Sequence, residues 1–136
     1  MDELRKKRYR DKINYIMDCL KLLSVKPKNE LEKFGIFYSL QTSIESIIDL
    51  IAMSVKDLGI PIKDDENNIF EFVKKREINQ KLGEDLKKLN GMRNIIVHRY
   101  NSIEEDIILN SVVEVKNLLK NWLNIIEELL LDFDKD

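Results

Sequence analysis

Eight consecutive residues, Arg93-Asn94-Ile95-Ile96-Val97-His98-Arg99-Tyr100, carry a cation, an amide, the chain's only imidazole, a second cation and a phenol. Arginine is always charged and presents a planar fork of donors that matches phosphate oxygens. Histidine is the side-chain type that titrates nearest neutrality, so it can take or give a proton. Tyrosine adds a hydroxyl that both donates and accepts. These are suitable parts for cleaving a phosphodiester without a metal. Arg93 would stabilise charge building on the phosphate. His98 would remove a proton from a ribose 2′-OH or donate one to the leaving 5′-oxygen, and Asn94 would orient His98 or a phosphate oxygen. If a ribose 2′-OH is the nucleophile, DNA should resist. The spacing alone is not diagnostic, because a lone histidine at a helix end is more often a surface or capping group.

Helical geometry constrains how these residues can cooperate. Five residues on an ideal helix turn about 500°, which leaves Arg93 and His98 about 140° apart. Asn94 and His98, at i and i+4, share an edge, and so do Arg93 and Tyr100, at i and i+7. One helix therefore presents two polar edges around an apolar one. A two-fold dimer that packs this helix against its mate would gather both edges into one cleft, so a homodimer or higher oligomer is expected.

The surroundings of the segment are basic. From Lys74 to Tyr100 eight basic residues oppose three acidic ones, a local +5, whereas from Asn101 onward nine acids oppose three lysines. The net charge of −2 conceals this asymmetry. A basic block leading into the chemically richest segment suits a polyanion, and Lys87, Lys88 and Arg99 are the candidate RNA-binding cations. No His/Cys cluster has metal-ligand spacing and no Gly-rich phosphate loop is present, so neither metal nor cofactor is expected.

The elements that must position this segment are helical. The chain has 136 residues, 43% hydrophobic and 35% charged, with four Gly and two Pro, which suits one domain over residues 1–136 built from long helices. The first predicted helix runs from about Asp2 to Ser24 with the apolar stripe Ile13, Ile16, Met17, Leu20 and Leu23; its basic first turns should project into solvent. The second runs from about Asn29 to Leu58, with Phe34, Phe37, Tyr38, Ile44, Ile48, Ile51 and Val55 on its apolar face. Gln41 interrupts that face with Glu45 one turn later, and a polar group inside a core stripe needs a partner. Gly59 and Pro61 end this helix. A short third helix is capped by Asn67 or Asn68 and stops near Arg76. The fourth runs from about Asn79 to Tyr100, with Asn90-Gly91 as a point where it could bend. Ser102 and Glu105 form a capping box that opens a fifth helix running without a break to the acidic tail. Four long helices and a short extra one make an all-α, up-down four-helix bundle. The single cysteine, Cys19, is expected to be a buried, inert thiol and points to an intracellular, cytoplasmic location. No signal peptide and no apolar run of the ~20 residues that a membrane span requires are expected.

The stretch Gly91-Met92-Arg93-Asn94-Ile95-Ile96-Val97-His98-Arg99-Tyr100 resembles the Arg-x4-His-x-Tyr signature of HepT toxins in the HEPN superfamily. Tyr38-Ser39-Leu40-Gln41-Thr42-Ser43-Ile44-Glu45 resembles the Leu-Gln-x-x-Ile-Glu block on that family's second helix, and Phe70-Glu71-Phe72 fits ahead of the signature, so the similarity covers nearly the whole chain. The resemblance implies a HEPN fold and an endoribonuclease toxin that cuts RNA without metal at a composite dimeric site. It also implies a partner, an MntA-like minimal nucleotidyltransferase antitoxin that silences the toxin by adenylylation of Tyr100. The alternative within the superfamily is a non-catalytic nucleotide- or RNA-binding module that acts with a nucleotidyltransferase.

Overall fold

A computed structural model of the chain describes residues 1–24, 26–98 and 101–135. Among these, Asp or Asn side chains open five of six helices: α1 (Glu3–Leu22), α2 (Glu30–Asp57), α3 (Asp65–Arg76), α4 (Gln80–Val97) and α5 (Ser102–Asn110) start on Asp2, Asn29, Asp64, Asn79 and Asn101, each accepting a backbone N–H of the first turn. Such caps satisfy donors that the helix itself leaves unpaired. The sixth, α6 (Val112–Asp134), has no side-chain cap.

The helices α1 and α2 form an antiparallel pair, tied from end to end by Arg5 to Asp57 (2.9 Å), Lys12 to Asp49 (3.2 Å) and Cys19 to Thr42 (3.7 Å). The long α6 runs antiparallel to α1, with Lys6 on Asp134 and Arg10 on Glu127, both at 2.6 Å. It is antiparallel to α4 as well, since the Trp122 indole N–H donates to the Leu82 carbonyl and Ser111 donates to the Met92 sulfur. That makes α4 antiparallel to α2. The short α3 packs on the bundle through Phe72, whose ring lies 6.0 Å from that of Trp122. Tyr9, Phe72, Trp122, Leu40, Ile44, Leu86, Leu119 and Ile126 are fully buried in one apolar core.

Several expectations are corrected. The predicted fifth helix is two helices. At Ser111 the hydroxyl donates to the Ile108 carbonyl (2.7 Å) while the Ser111 N–H is shared between the carbonyls of Ile107 and Ile108. A serine that bonds back onto the preceding turn competes with the helical ladder and bends it, so α5 and α6 separate there. The cap of α5 is Asn101, one residue before the expected Ser102. The third helix starts earlier than expected, on Asp64, because Asn68 is buried inside it and exchanges two hydrogen bonds with the Lys63 backbone. Met17, Phe34 and Tyr38 are exposed rather than buried. The helix α4 passes through Asn90-Gly91 uninterrupted. The basic start of α1 is partly engaged, with Arg5 on Asp57 and Lys6 on Asp134. Finally, α2 has the length and mean hydropathy of a membrane-crossing helix, which the sequence reading overlooked, but 56% of its apolar window is buried inside the bundle.

Candidate functional site

Arg93 lies three-quarters of the way along α4, where that helix packs on α2. Its side chain is 24% exposed, its Nη1 is 4.0 Å from Glu45 Oε1, and its Nη2 donates to Asn90 Oδ1 at 3.4 Å. Glu45 in turn accepts from Gln41 Nε2 at 3.3 Å. The polar pair on the apolar face of α2 is half-buried, and it reaches Arg93 as its partner. On the other side, Asn90 is buried and donates through Nδ2 to Asp65 Oδ2 at 3.2 Å. A polar chain therefore runs from α2 through the guanidinium of Arg93 to the first turn of α3. Arg93 Nε is buried and has no hydrogen-bond partner among the described residues.

Asn94 and His98 occupy a different edge of the helix. Both are exposed, and the His98 N–H caps the helix by donating to the Asn94 carbonyl at 3.0 Å. His98 is the C-cap residue with φ −94° and ψ 20°, so its imidazole leaves the helix where the ladder ends. Lys87, Gly91, Asn94 and His98 follow at i, i+4, i+7 and i+11, and all four are exposed. A Cβ added at Gly91 would meet nothing within 4 Å, so the middle of this edge is bare backbone open to a ligand or another chain. The structure thus brings Arg93 and His98 to one end of α4 but on different edges, as the helical angle requires.

The lysines diverge. Lys87 turns toward α3, 3.9 Å from Glu66, and borders a cleft of about 570 Å³ between α3 and α4 that also involves Ile69, Phe70, Val73 and Gly83. None of Arg93, Asn94 and His98 lines that cleft. Lys88 faces the opposite groove, beside Met92, Ser111 and Glu114. Arg99 and Tyr100 lie outside the described residues. Among the described residues no group of three or more His, Cys, Asp or Glu side chains is placed to hold a metal ion.

Glu45, Asn90 and Asp65 are site residues that the spacing argument did not single out. The signal for Glu45 was present in the polar interruption of an apolar stripe. Asn90 looked only like a helix weak point, and Asp65 like part of a polar loop. Their convergence on Arg93 depends on three helices meeting.

Apolar side chains surround this end of the bundle. Ile95 and Val97, beside His98, are 43% and 41% exposed, and Phe34, Tyr38, Ile103 and Ile107 are more exposed still. Phe34, Tyr38, Gln41 and Glu45 follow one face of α2 at i, i+4, i+7 and i+11. Lys33, salt-bridged to Glu105 at 2.9 Å, holds α5 against the same half of α2. Glu105 is the main cause that raises the Lys33 pKa above its ordinary value.

A family model described as Ribonuclease HepT-like matches residues 7–128. A protein of Archaeoglobus fulgidus named "Putative RNase" is 43% identical over 127 residues, covering 93% of this chain and 96% of its own length. Among solved structures, a tri-AMPylated Shewanella oneidensis HEPN toxin in complex with an MNT antitoxin has the same fold, with a TM-score of 0.77 at 24% identity over 94% of this chain and 99% of that one. A toxin-antitoxin crystal structure with AMP-PNP gives a TM-score of 0.76 at 24% identity, covering 93% of this chain and 99% of the other.

Proposed function

Because this chain belongs to the HepT-like ribonuclease family, we propose that it is a metal-independent endoribonuclease toxin of the cytoplasm, active as a dimer and silenced by an MntA-like nucleotidyltransferase. The observation that carries the reading is the division of labour along α4. Arg93 is held at the contact with α2, whereas Asn94 and His98 share a different, open edge of the same helix. A cation fixed in place and a freely accessible imidazole suit a phosphate clamp and a proton-transfer group.

In this mechanism the 2′-OH of the substrate RNA attacks the adjacent phosphorus and the bond to the 5′-oxygen of the next nucleotide breaks. His98 accepts the 2′-OH proton or supplies one to the departing 5′-oxygen. Arg93 offsets the charge that grows on the phosphate, and Asn94 orients the imidazole or a phosphate oxygen. Lys87 extends the Asn94/His98 edge and would track the RNA backbone, with Arg99 as a further contact. Lys88, turned to the opposite groove, would contribute only to long-range attraction.

The exposed Ile95, Val97, Phe34, Tyr38, Ile103 and Ile107 support a second copy as the occupant of this end, since an accumulation of exposed apolar side chains suits an interaction site. A two-fold axis beside the bare edge at Gly91 would bring His98 of one protomer toward Arg93 of its mate. Adenylylation of Tyr100 would place a phosphate next to these cations and repel RNA. The toxin-antitoxin likeness supports that control.

Incubating the purified protein with RNA in EDTA tests the nuclease reading. Cleavage that persists in EDTA and disappears in His98→Ala is expected. Cleavage that requires a divalent cation, or survives His98→Ala, sinks it. Mass spectrometry after co-expression with an MntA-like nucleotidyltransferase should find AMP on Tyr100, and modification confined to another residue would refute that assignment.

A further inference from the structure

We infer that Glu45 and Asn90 are positioning residues that anchor Arg93 from two sides, so that the phosphate clamp is built by three helices of one protomer. The inference rests on the nuclease reading for its catalytic consequence, but its structural content stands on the geometry alone.

A long arginine side chain has many rotamers, and fixing it costs conformational entropy. The ends of the Arg93 guanidinium are met by different helices. Nη1 faces Glu45 on α2 at 4.0 Å, and Nη2 donates to Asn90 at 3.4 Å. Each anchor is itself anchored. Gln41, one turn before Glu45, donates to the same Oε1 that faces Arg93. Asp65 accepts from Asn90 Nδ2, which turns the amide so that its oxygen points at Arg93. These are two short relays, Gln41–Glu45 and Asp65–Asn90, that converge on one cation.

Both final contacts are long, and this fits a positioning role better than a structural ion pair. A short bidentate pair with Glu45 would neutralise the guanidinium and occupy its fork. At 4.0 Å the carboxylate steers the cation while leaving donors for an anionic ligand. The buried, unpartnered Nε has the same implication: the pocket holds the stem of Arg93 at the cost of one unmade hydrogen bond rather than letting the side chain swing out. Such an atom is unfavourable, and the surrounding packing must offset it.

Positioning and bulk electrostatics predict opposite results for Glu45. Removing a negative charge beside a phosphate-binding cation should tighten RNA binding. Releasing the guanidinium should slow cleavage of the bound RNA, because small displacements of a catalytic group cost up to on the order of 100-fold. The experiment compares wild type, Glu45→Ala, Glu45→Gln and Asn90→Ala, with Glu127→Gln as a remote surface control. Cleavage is followed under single turnover, RNA binding by equilibrium titration, and the Arg93 Nε–H resonance by NMR.

The expected result is a slower bound-state rate by on the order of 10–100-fold in Glu45→Ala and Asn90→Ala, with RNA affinity unchanged or higher in Glu45→Ala. Glu45→Gln, which keeps the acceptor oxygen, should fall between wild type and Glu45→Ala, and it serves if the alanine variant does not fold. The Arg93 Nε–H signal should move in both alanine variants and not in Glu127→Gln. An unmoved signal in both, or unchanged bound-state rates in a wild type that cleaves, overturns the inference. A wild type that cuts no RNA but whose Arg93 signal moves in both variants refutes the nuclease reading and leaves the two-sided anchoring in place.

Discussion

Arg93 and His98 differ in how deeply the fold depends on them, and this decides how their variants should be read. His98 is exposed at a helix end and contributes its backbone N–H to the cap, a bond that alanine keeps. His98→Ala should therefore change unfolding free energy by less than about 0.5 kcal/mol while abolishing RNA cleavage, a combination that urea titration beside a nuclease assay would check. Arg93→Ala should also abolish cleavage but destabilise by about 1 kcal/mol, because it takes the Arg93 contact from the buried Asn90 amide. Tyr9 offers a separate prediction. Burial, and then its hydrogen bond to Asp57 (2.7 Å), push its pKa well above the ordinary tyrosine value. A group with a raised folded pKa contributes stability that is present below its unfolded pKa, about 10, and lost as pH climbs above that value. Stability should thus decline at alkaline pH more steeply in wild type than in Tyr9→Phe, as measured by thermal unfolding across pH 9–12.

Two glycines of α4 show how an element is shaped by what it packs against. At Gly83 an added Cβ would sit 2.9 Å from the γ-methyl of Val73, whereas at Gly91 it would meet nothing within 4 Å. Val73 is buried and β-branched, so it has little freedom to move aside. Gly83→Ala should destabilise by about 1–3 kcal/mol through overpacking of α3 on α4, and Val73→Ala in the same chain should restore part of the loss. Gly91→Ala should stabilise by up to about 1 kcal/mol, since alanine is the better helix former at an open position. A Gly83→Ala variant as stable as wild type would contradict the packing described for α3 and α4. If the bare edge at Gly91 receives RNA or a second copy, the same Gly91→Ala change should weaken cleavage while raising the unfolding midpoint.

On the scale of the whole molecule, one end of the bundle leaves Phe34, Tyr38, Ile95, Val97, Ile103 and Ile107 uncovered, and this end also carries His98. Burying apolar area is worth about 25 cal/mol per Å², and the proposed dimer would cover these side chains. Equilibrium sedimentation at micromolar concentration should find a dimer. Paired Phe34→Asp and Ile107→Asp changes should shift it to monomer and reduce cleavage together with dimerisation. A stable monomer in wild type that still cuts RNA would remove the composite site.

Local signals sufficed for the helical class and for the positions of most helices, and they single out the segment proposed to carry the chemistry. Periodicity, capping residues and Gly59 with Pro61 act within a few residues of one another, so they can be read along the chain. The angle between Arg93 and His98 was likewise fixed by helical pitch alone. The break at Ser111 was not legible, because an apolar stripe continues across it and only the serine's bond to Ile108 reveals the bend. The exposure of Phe34 and Tyr38 was misread for a related reason: a helix face is buried only where another helix lies on it, and α4 ends short of this part of α2. The anchoring of Arg93 was decided by tertiary structure. Glu45, Asn90 and Asp65 come from three helices and are separated by up to 45 positions in sequence; packing alone brings Glu45 and Asn90 to one guanidinium, with Asp65 holding Asn90 from behind.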